Sequence, residues 1–186
     1  MNTIKSIKLI LVIAVATTIL AEPVLAREIT DQNIVDLTNQ ERTKLGLRPL
    51  VINSNLDQAA YTKSADMITK NYFEHYAFGT SPWMIIKKNG YNYQQAGENL
   101  AMDFNNAEGI VNAWMRSETH RNNLLNPDFE DIGVGVVKGE FIKENGQSNN
   151  TIMVTQMFGK KRQPIYSSAI NIVKKAFLKR VIGWQE

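Results

Sequence analysis

The stretch that decides the fold is Ile132-Gly133-Val134-Gly135-Val136, in which branched apolar residues alternate with glycine. This two-residue period predicts a β-strand. Residues 151–158, TIMVTQMF, show a second period of this kind. The polar segment between the two, Lys143–Asn150, contains Asn145-Gly146, a pair that favours turns. The two strands are therefore expected to form an antiparallel hairpin with a longer loop.

Helical patterns precede this hairpin. Apolar residues recur there at helical spacing, and capping residues or glycines bound each segment. The predicted helices run from Thr30 to Leu45 with Gly46 as the stop, from Asn53 or Ser54 to Asn71, from Ser81-Pro82 to Asn89-Gly90, and from Asn105 or Asn106 to about His120. Helices followed by strands indicate an α+β domain.

The composition is that of a globular protein with one domain. Of the 186 residues 44% are hydrophobic and 21% are charged, and none is cysteine. The absence of cysteine excludes a disulfide framework, a thiol nucleophile and a zinc site built on thiolates.

The first 26 residues have the pattern of a secretory signal. Lys5 and Lys8 precede an apolar run from Leu9 to Leu20, and small residues lead up to Ala26. We expect cleavage there, with an uncleaved membrane anchor as the alternative. Either reading predicts a secreted or cell-envelope protein, extracellular or periplasmic, whose domain occupies residues 27–159.

Charge is divided unevenly along the chain. Residues 27–159 carry a net charge of −4, whereas residues 160–186 carry +6. An acidic domain argues against nucleic acid as a partner. The basic segment is interpreted as a linker followed by an amphipathic helix over residues 164–184. That helix is expected either to lie on an anionic membrane surface or to dock on the acidic domain.

Few residues are candidates for catalysis or metal binding. The chain has two histidines, His75 and His120, which are too far apart in sequence for a local metal motif. Glu98 follows Gly97, so it is expected either in a turn that aims the carboxylate inward or at the cap of a short helix starting at Asn99. Trp114 is assigned to the core, whereas Tyr91 and Tyr93 are expected in a loop that lines a groove.

Six motifs occur here in the order seen in bacterial CAP (SCP) domains, and the chain resembles this family over about residues 31–159. The superfamily comprises cysteine-rich secretory proteins, antigen 5 and pathogenesis-related 1 proteins. The motifs are Asn39-Gln40-Glu41-Arg42 with Leu47-Arg48-Pro49-Leu50, His75, Gly97-Glu98-Asn99-Leu100, Trp114-Met115-Arg116-Ser117, His120-Arg121-Asn122-Asn123-Leu124-Leu125, and Ile132-Gly133-Val134-Gly135. The resemblance implies an α-β-α sandwich with a small antiparallel sheet and a cleft that holds two histidines and two acidic residues.

The resemblance also selects the candidate site residues. His75, Glu98 and His120 match three of the four cleft positions, and Ser117 stands where animal and plant members carry the fourth, an acidic residue. Glu118 is a weaker candidate because it points about 100° away from residue 117 on a helix. The predicted binding cleft consists of His75, Tyr91, Glu98, Asn99, Ser117 and His120.

Three functions follow as hypotheses. The first is a binding module for an apolar small molecule or cell-envelope component, with a divalent metal such as zinc on His75 and His120 as an option. The second is a peptidase or esterase in which a histidine acts as base and Ser117 or a metal-bound water attacks; Glu98, His120 and Ser117 are its catalytic candidates. The third is a carrier for a membrane-active C-terminal helix. An enzymatic role is the less favoured reading, because no nucleophile-elbow or HExxH motif is present.

Overall fold

The structure is a computed structural model and describes residues 26–163 together with Lys174, Phe177 and Val181. Within residues 26–163 five helices and four strands follow one another along the chain. They are α1 Asp31–Lys44, β1 Val51–Ile52, α2 Ser54–Lys70, α3 Pro82–Lys88, β2 Tyr93–Met102, α4 Ala107–Arg116, α5 Glu118–Leu124, β3 Asp131–Ile142 and β4 Ser148–Lys161.

The helix boundaries follow from capping side chains. The hydroxyl of Thr30 accepts a hydrogen bond from the Asn33 N–H, and the side chains of Asn53 and Ser81 accept equivalent bonds at the starts of α2 and α3. α2 ends at Asn71, which adopts a left-handed conformation with φ 56°. The first three predicted helices are thereby confirmed.

The sheet has the strand order β1-β3-β4-β2. β3 and β4 form the predicted antiparallel hairpin, with Ile142 opposite Ser148. The two-residue strand β1 pairs in parallel with β3 at one edge, and β2 pairs antiparallel with β4 at the other. β2 contradicts the sequence prediction, which placed Tyr93 in a loop and Glu98 in a turn or helix cap. The strand was missed because residues 97–101 are buried without alternation.

Helices cover both faces of this sheet, which gives the expected α-β-α sandwich. α2 and α3 lie on one face, whereas α1, α4 and α5 lie on the other. Trp114 is 2% exposed in the core between the sheet and helices α1, α4 and α5, as its assignment to the core predicted. Its indole N–H donates to the carbonyl oxygen of Leu100.

Glycines in β3 allow α2 to lie directly on the sheet. A Cβ atom on Gly133 or Gly135 would fall well inside van der Waals distance of the α2 backbone at Leu56–Asp57 and Ala60–Tyr61. The Ser64 hydroxyl of α2 also donates to the carbonyl oxygen of Gly135, at 2.9 Å. The alternation that predicts the strand therefore also fixes its distance from the helix.

Two predictions of boundaries are wrong. The fourth helix does not continue to His120, because the backbone at Ser117 is extended and a separate helix, α5, starts after it. The segment from Lys160 is not a linker at its start, because β4 runs to Lys161 and the Arg162 N–H donates to the Asn92 carbonyl oxygen.

The terminal predictions lie largely outside the described residues. This holds for the signal segment up to residue 25 and for most of the helix predicted over 164–184; in that range Lys174, Phe177 and Val181 are helical and exposed. Within the described part of the chain, no helix combines the length and the apolar character needed to cross a membrane.

Candidate functional site

The carboxylate of Glu98 lies buried in the middle of β2. The residue is 5% exposed. Its Oε1 lies 2.6 Å from Nδ1 of His75, whereas its buried Oε2 has no hydrogen-bond partner among the described residues. Burial raises the pKa of Glu98 above its usual value, and the neighbouring His75 and Lys63 oppose that rise.

His75 lies at the mouth of the site, in the segment that joins α2 to α3. Its side chain is 45% exposed, in contrast to 1% for the side chain of Glu98. The imidazole thus covers the carboxylate. Because Nδ1 faces Glu98, Nε2 is the ring nitrogen available to a ligand.

Lys63 of α2 holds His75 in place from behind. This lysine is 1% exposed, and its ammonium donates to the carbonyl oxygens of Glu74 at 2.7 Å and His75 at 3.1 Å. Burial lowers the pKa of Lys63, although the carboxylate of Glu98 partly opposes the change.

Sequence reasoning missed Lys63, although a signal was present. It lies four residues after Ala59 and four before Met67, both on the buried face of α2. A lysine at such a position is either buried with acceptors or stretched to reach solvent.

His120 and Ser117 form a second pair. The Nδ1 atom of His120 lies 2.8 Å from Oγ of Ser117. Ser117 occupies the N-cap of α5, yet its hydroxyl makes no capping bond to the helix backbone. The bond goes instead to the side chain of His120, whose pKa is lowered by burial and by the charge of His75. The contact with Ser117 therefore orients His120, and the lowered pKa favours its neutral form. Glu118, the weaker candidate for this position, is exposed.

Two amides join the pairs. Asn99 is fully buried, and its amide donates to the His120 carbonyl oxygen at 3.3 Å and to Oε1 of Gln156 at 3.2 Å. The amide of Asn123 donates to the Glu98 carbonyl oxygen at 3.0 Å and to Oδ1 of Asn99 at 2.9 Å. Asn99, predicted in the cleft, therefore lies beneath it as a positioning residue. Asn123 reaches the cavity and was not singled out from the sequence.

A cavity of about 340 Å³ opens at the Glu98–His75 pair. Its walls combine polar and aromatic groups; the lining residues are His75, Tyr76, Pro82, Trp83, Ala96, Gly97, Glu98 and Asn123. The indole N–H of Trp83 donates to the hydroxyl of Tyr76 at 3.1 Å. Cavities of about 640 and 500 Å³ lie elsewhere on the fold, but neither is lined by a histidine.

Tyr91 does not line this cleft, contrary to the prediction. It is 1% exposed, packs beneath Gly159 and donates its hydroxyl to Asp131 at 2.8 Å. The hydroxyl and the absence of a side chain at Gly159 make this burial favourable. Burial and the hydrogen bond to Asp131 raise the pKa of Tyr91.

For the metal hypothesis, His75 and His120 are the two candidate ligands. Within residues 26–163 no group of three or more histidine, aspartate or glutamate side chains lies close enough together to hold a metal ion. Glu98 uses Oε1 on His75 and Ser117 uses Oγ on His120. This pattern resembles the outer shell that orients histidine ligands around a metal.

The fold and the site define a class: a three-layer α-β-α domain with a cleft beside one sheet edge, containing a buried glutamate covered by a histidine. A family model of the CAP domain, described as the cysteine-rich secretory protein family, matches residues 35–158. The chain belongs to this family, as the six motifs predicted.

Bacterial relatives share the domain. The Bacillus subtilis protein YkwD is 48% identical over 110 residues, which are 58% of this chain and 42% of that protein. An extracellular protein from Bacillus anthracis that contains an SCP domain superposes with a TM-score of 0.62 at 31% identity, covering 70% of this chain and 40% of that one. An outer surface protein of Borrelia burgdorferi gives a TM-score of 0.58 at 25% identity, covering 74% of this chain and 100% of that one. The chain thus spans less than half the length of the two Bacillus proteins.

Proposed function

We propose that this protein is an extracellular or cell-envelope binding module whose ligand occupies the cleft at Glu98 and His75. The location draws support from the relatives described as extracellular or as an outer surface protein. The observation that carries the binding role is the buried Oε2 of Glu98, which lacks a partner in the described part of the chain. An unsatisfied buried acceptor costs about 1–3 kcal/mol, so a ligand that donates to it gains a favourable contact.

The cleft suits an apolar or cell-surface ligand with one donor group. Tyr76, Pro82 and Trp83 offer apolar surface on one side, and Glu98 offers the acceptor at the base. Pockets of this kind combine apolar walls with a few well-placed polar groups.

The test is sedimentation of the protein with two preparations, vesicles of total lipid extract and insoluble cell-envelope material. We expect one of the two preparations to bind the wild type but not the Glu98→Gln variant. Glutamine keeps the size of the side chain and an acceptor for His75, but it replaces the free carboxylate oxygen. Asp57→Asn, a carboxylate change beside β3 and away from the cleft, serves as the matched control. Equal binding by Glu98→Gln and the wild type would refute the proposal.

A divalent cation such as zinc is a subsidiary proposal. Its protein ligands would be the Nε2 atoms of His75 and His120, since Glu98 and Ser117 engage the Nδ1 atoms. Titration calorimetry with zinc alone tests it: we expect binding by the wild type and none by the His75→Ala variant. Equal heats of zinc binding for the two proteins would refute the metal proposal.

A hydrolase is the second candidate, favoured by the contact between Ser117 and His120. A neutral histidine 2.8 Å from a hydroxyl is able to accept its proton. The measurement is turnover of peptide and ester substrates by the wild type and by Ser117→Ala. The hydrolase predicts turnover that the variant lacks, and no turnover by the wild type would eliminate it.

A further inference from the structure

The cleft lies beside an unpaired edge of the sheet. β2 pairs with β4 alone, so one side of the strand faces away from the sheet. In an antiparallel ladder the N–H and C=O groups of one residue point to the same side, and neighbouring residues alternate. The carbonyl oxygens of Glu98 and Leu100 accept from the side chains of Asn123 and Trp114. These two residues therefore direct their main-chain groups away from β4.

Ala96 lies two residues before Glu98 and shares this orientation. Outside the β2–β4 ladder, no hydrogen bond among the described residues engages the N–H or C=O of Ala96 or the N–H of Glu98. Ala96, Gly97 and Glu98 all line the cavity. Such an edge offers donors and acceptors at the spacing of another strand.

We propose that an extended peptide segment binds at Ala96–Glu98 as an additional strand on β2. This inference rests on the proposed binding function and names the chemical class of its ligand. Three main-chain hydrogen bonds form with Ala96 and Glu98, and a donor on the peptide reaches Oε2 of Glu98. Asn123 already occupies the carbonyl of Glu98, so the added strand ends there.

The neighbouring aromatic groups favour peptides that carry an apolar side chain. Trp83 and Tyr76 line the same cavity and are joined by a hydrogen bond. An apolar side chain on the peptide packs against them while its main chain pairs with β2. Main-chain bonds supply affinity and side-chain pockets supply selectivity in this mode of recognition.

The experiment is a titration of ¹⁵N-labelled protein with acetylated, amidated pentapeptides randomised at every position. We expect shifts of the amide signals of Ala96 and Glu98 and of the indole signal of Trp83. Ala96→Pro removes the outward N–H, which an edge strand tolerates, and Ala96→Ser keeps it. The proline variant is expected to bind about tenfold more weakly than the serine variant, or worse. Shifts located away from β2, or equal binding by both variants, would overturn the proposal.

A second measurement uses the wild type alone, so that it holds even where Ala96→Pro does not fold. Two sets of peptides are compared, which carry N-methyl groups at alternate residues in opposite registers, one at the odd positions and one at the even positions. If the peptide adds a strand to β2, methylation in one register abolishes binding and methylation in the other does not, since only every second amide faces β2. Equal effects of both registers would contradict strand addition. Loss of peptide binding together with envelope binding that still depends on Glu98 would refute this inference and leave the proposed function standing.

Discussion

Gly135→Ala is expected to destabilise the domain strongly, because the added methyl group would meet the backbone of α2. The nearest atoms belong to Ala60 and Tyr61, and backbone atoms do not rotate away as side chains do. Carbon atoms in contact lie ~3.5–4.0 Å apart, so the helix would have to retreat by about 1 Å or more.

The size of the expected loss follows from the packing contacts that α2 loses when it is displaced. A gap of about 1 Å forfeits up to half of the dispersion energy of each contact, and α2 buries six side chains against the sheet and its neighbours. Lower chain entropy in the unfolded state returns about 0.4–1 kcal/mol. We therefore expect a loss of about 3 kcal/mol in the free energy of unfolding, at the upper end for an overpacked core.

Urea unfolding followed by far-ultraviolet circular dichroism measures this loss, and Gly139→Ala is the matched control. A methyl group on Gly139 would meet the side chain of Ile68, which is able to rotate, so we expect a loss of about 1 kcal/mol or less. Equal losses for the two variants, or a loss below about 1 kcal/mol for Gly135→Ala, would refute this account of the helix–sheet contact.

Three further predictions concern charged groups that are buried or half-buried. Lys63→Met should lower the free energy of unfolding by about 2 kcal/mol, because two carbonyl oxygens lose their hydrogen-bond donor. The variant should also bind the envelope preparation more weakly; unchanged binding would show that Lys63 does not support the site. Arg42→Lys should cost about 2–3 kcal/mol in urea unfolding, because one ammonium does not replace the guanidinium bonds to the carbonyls of Arg48, Leu124 and Asn126; a neutral change would refute this. Burial raises the pKa of Asp57, so the folded state holds its proton more tightly and stability contributed by this group falls as pH rises through that pKa. Asp57→Asn should therefore raise the melting temperature relative to wild type at pH ~7 and less at pH ~3; the opposite order would contradict the assignment.

The parts of the fold that the sequence predicted are those governed by local signals. Asn53, Ser81 and Asn71 bound their helices through their own side chains or backbone conformation, and such signals need no tertiary context. The β3–β4 hairpin was predictable from its alternation. β2 was not, because its buried stretch lies between helices on both faces and therefore lacks a polar face.

The site was predicted in part, and its limits have physical reasons. The resemblance selected Glu98 and the two histidines, and the structure brings Glu98 to His75 and Ser117 to His120. Lys63 acts through the carbonyl of His75: its position on the apolar face of α2 indicated burial, but the sequence did not show which acceptors it would contact.

The break after α4 illustrates the same limit at shorter range. A serine followed by a glutamate is compatible with both a helix interior and a new N-cap, so the sequence alone did not place the end at Ser117. The structure starts α5 there and turns the hydroxyl to His120. The extended backbone at Ser117 separates the two helices, and the contact with His120 accompanies it.

The most direct test of the central claim, that the ligand occupies the cleft at Glu98, is hydrogen–deuterium exchange with and without the bound envelope preparation. We expect slower exchange in residues 75–83 and 96–99, which surround the cavity, and unchanged exchange in α1. Protection confined to α1, α4 or the C-terminal segment, with residues 96–99 unaffected, would contradict it.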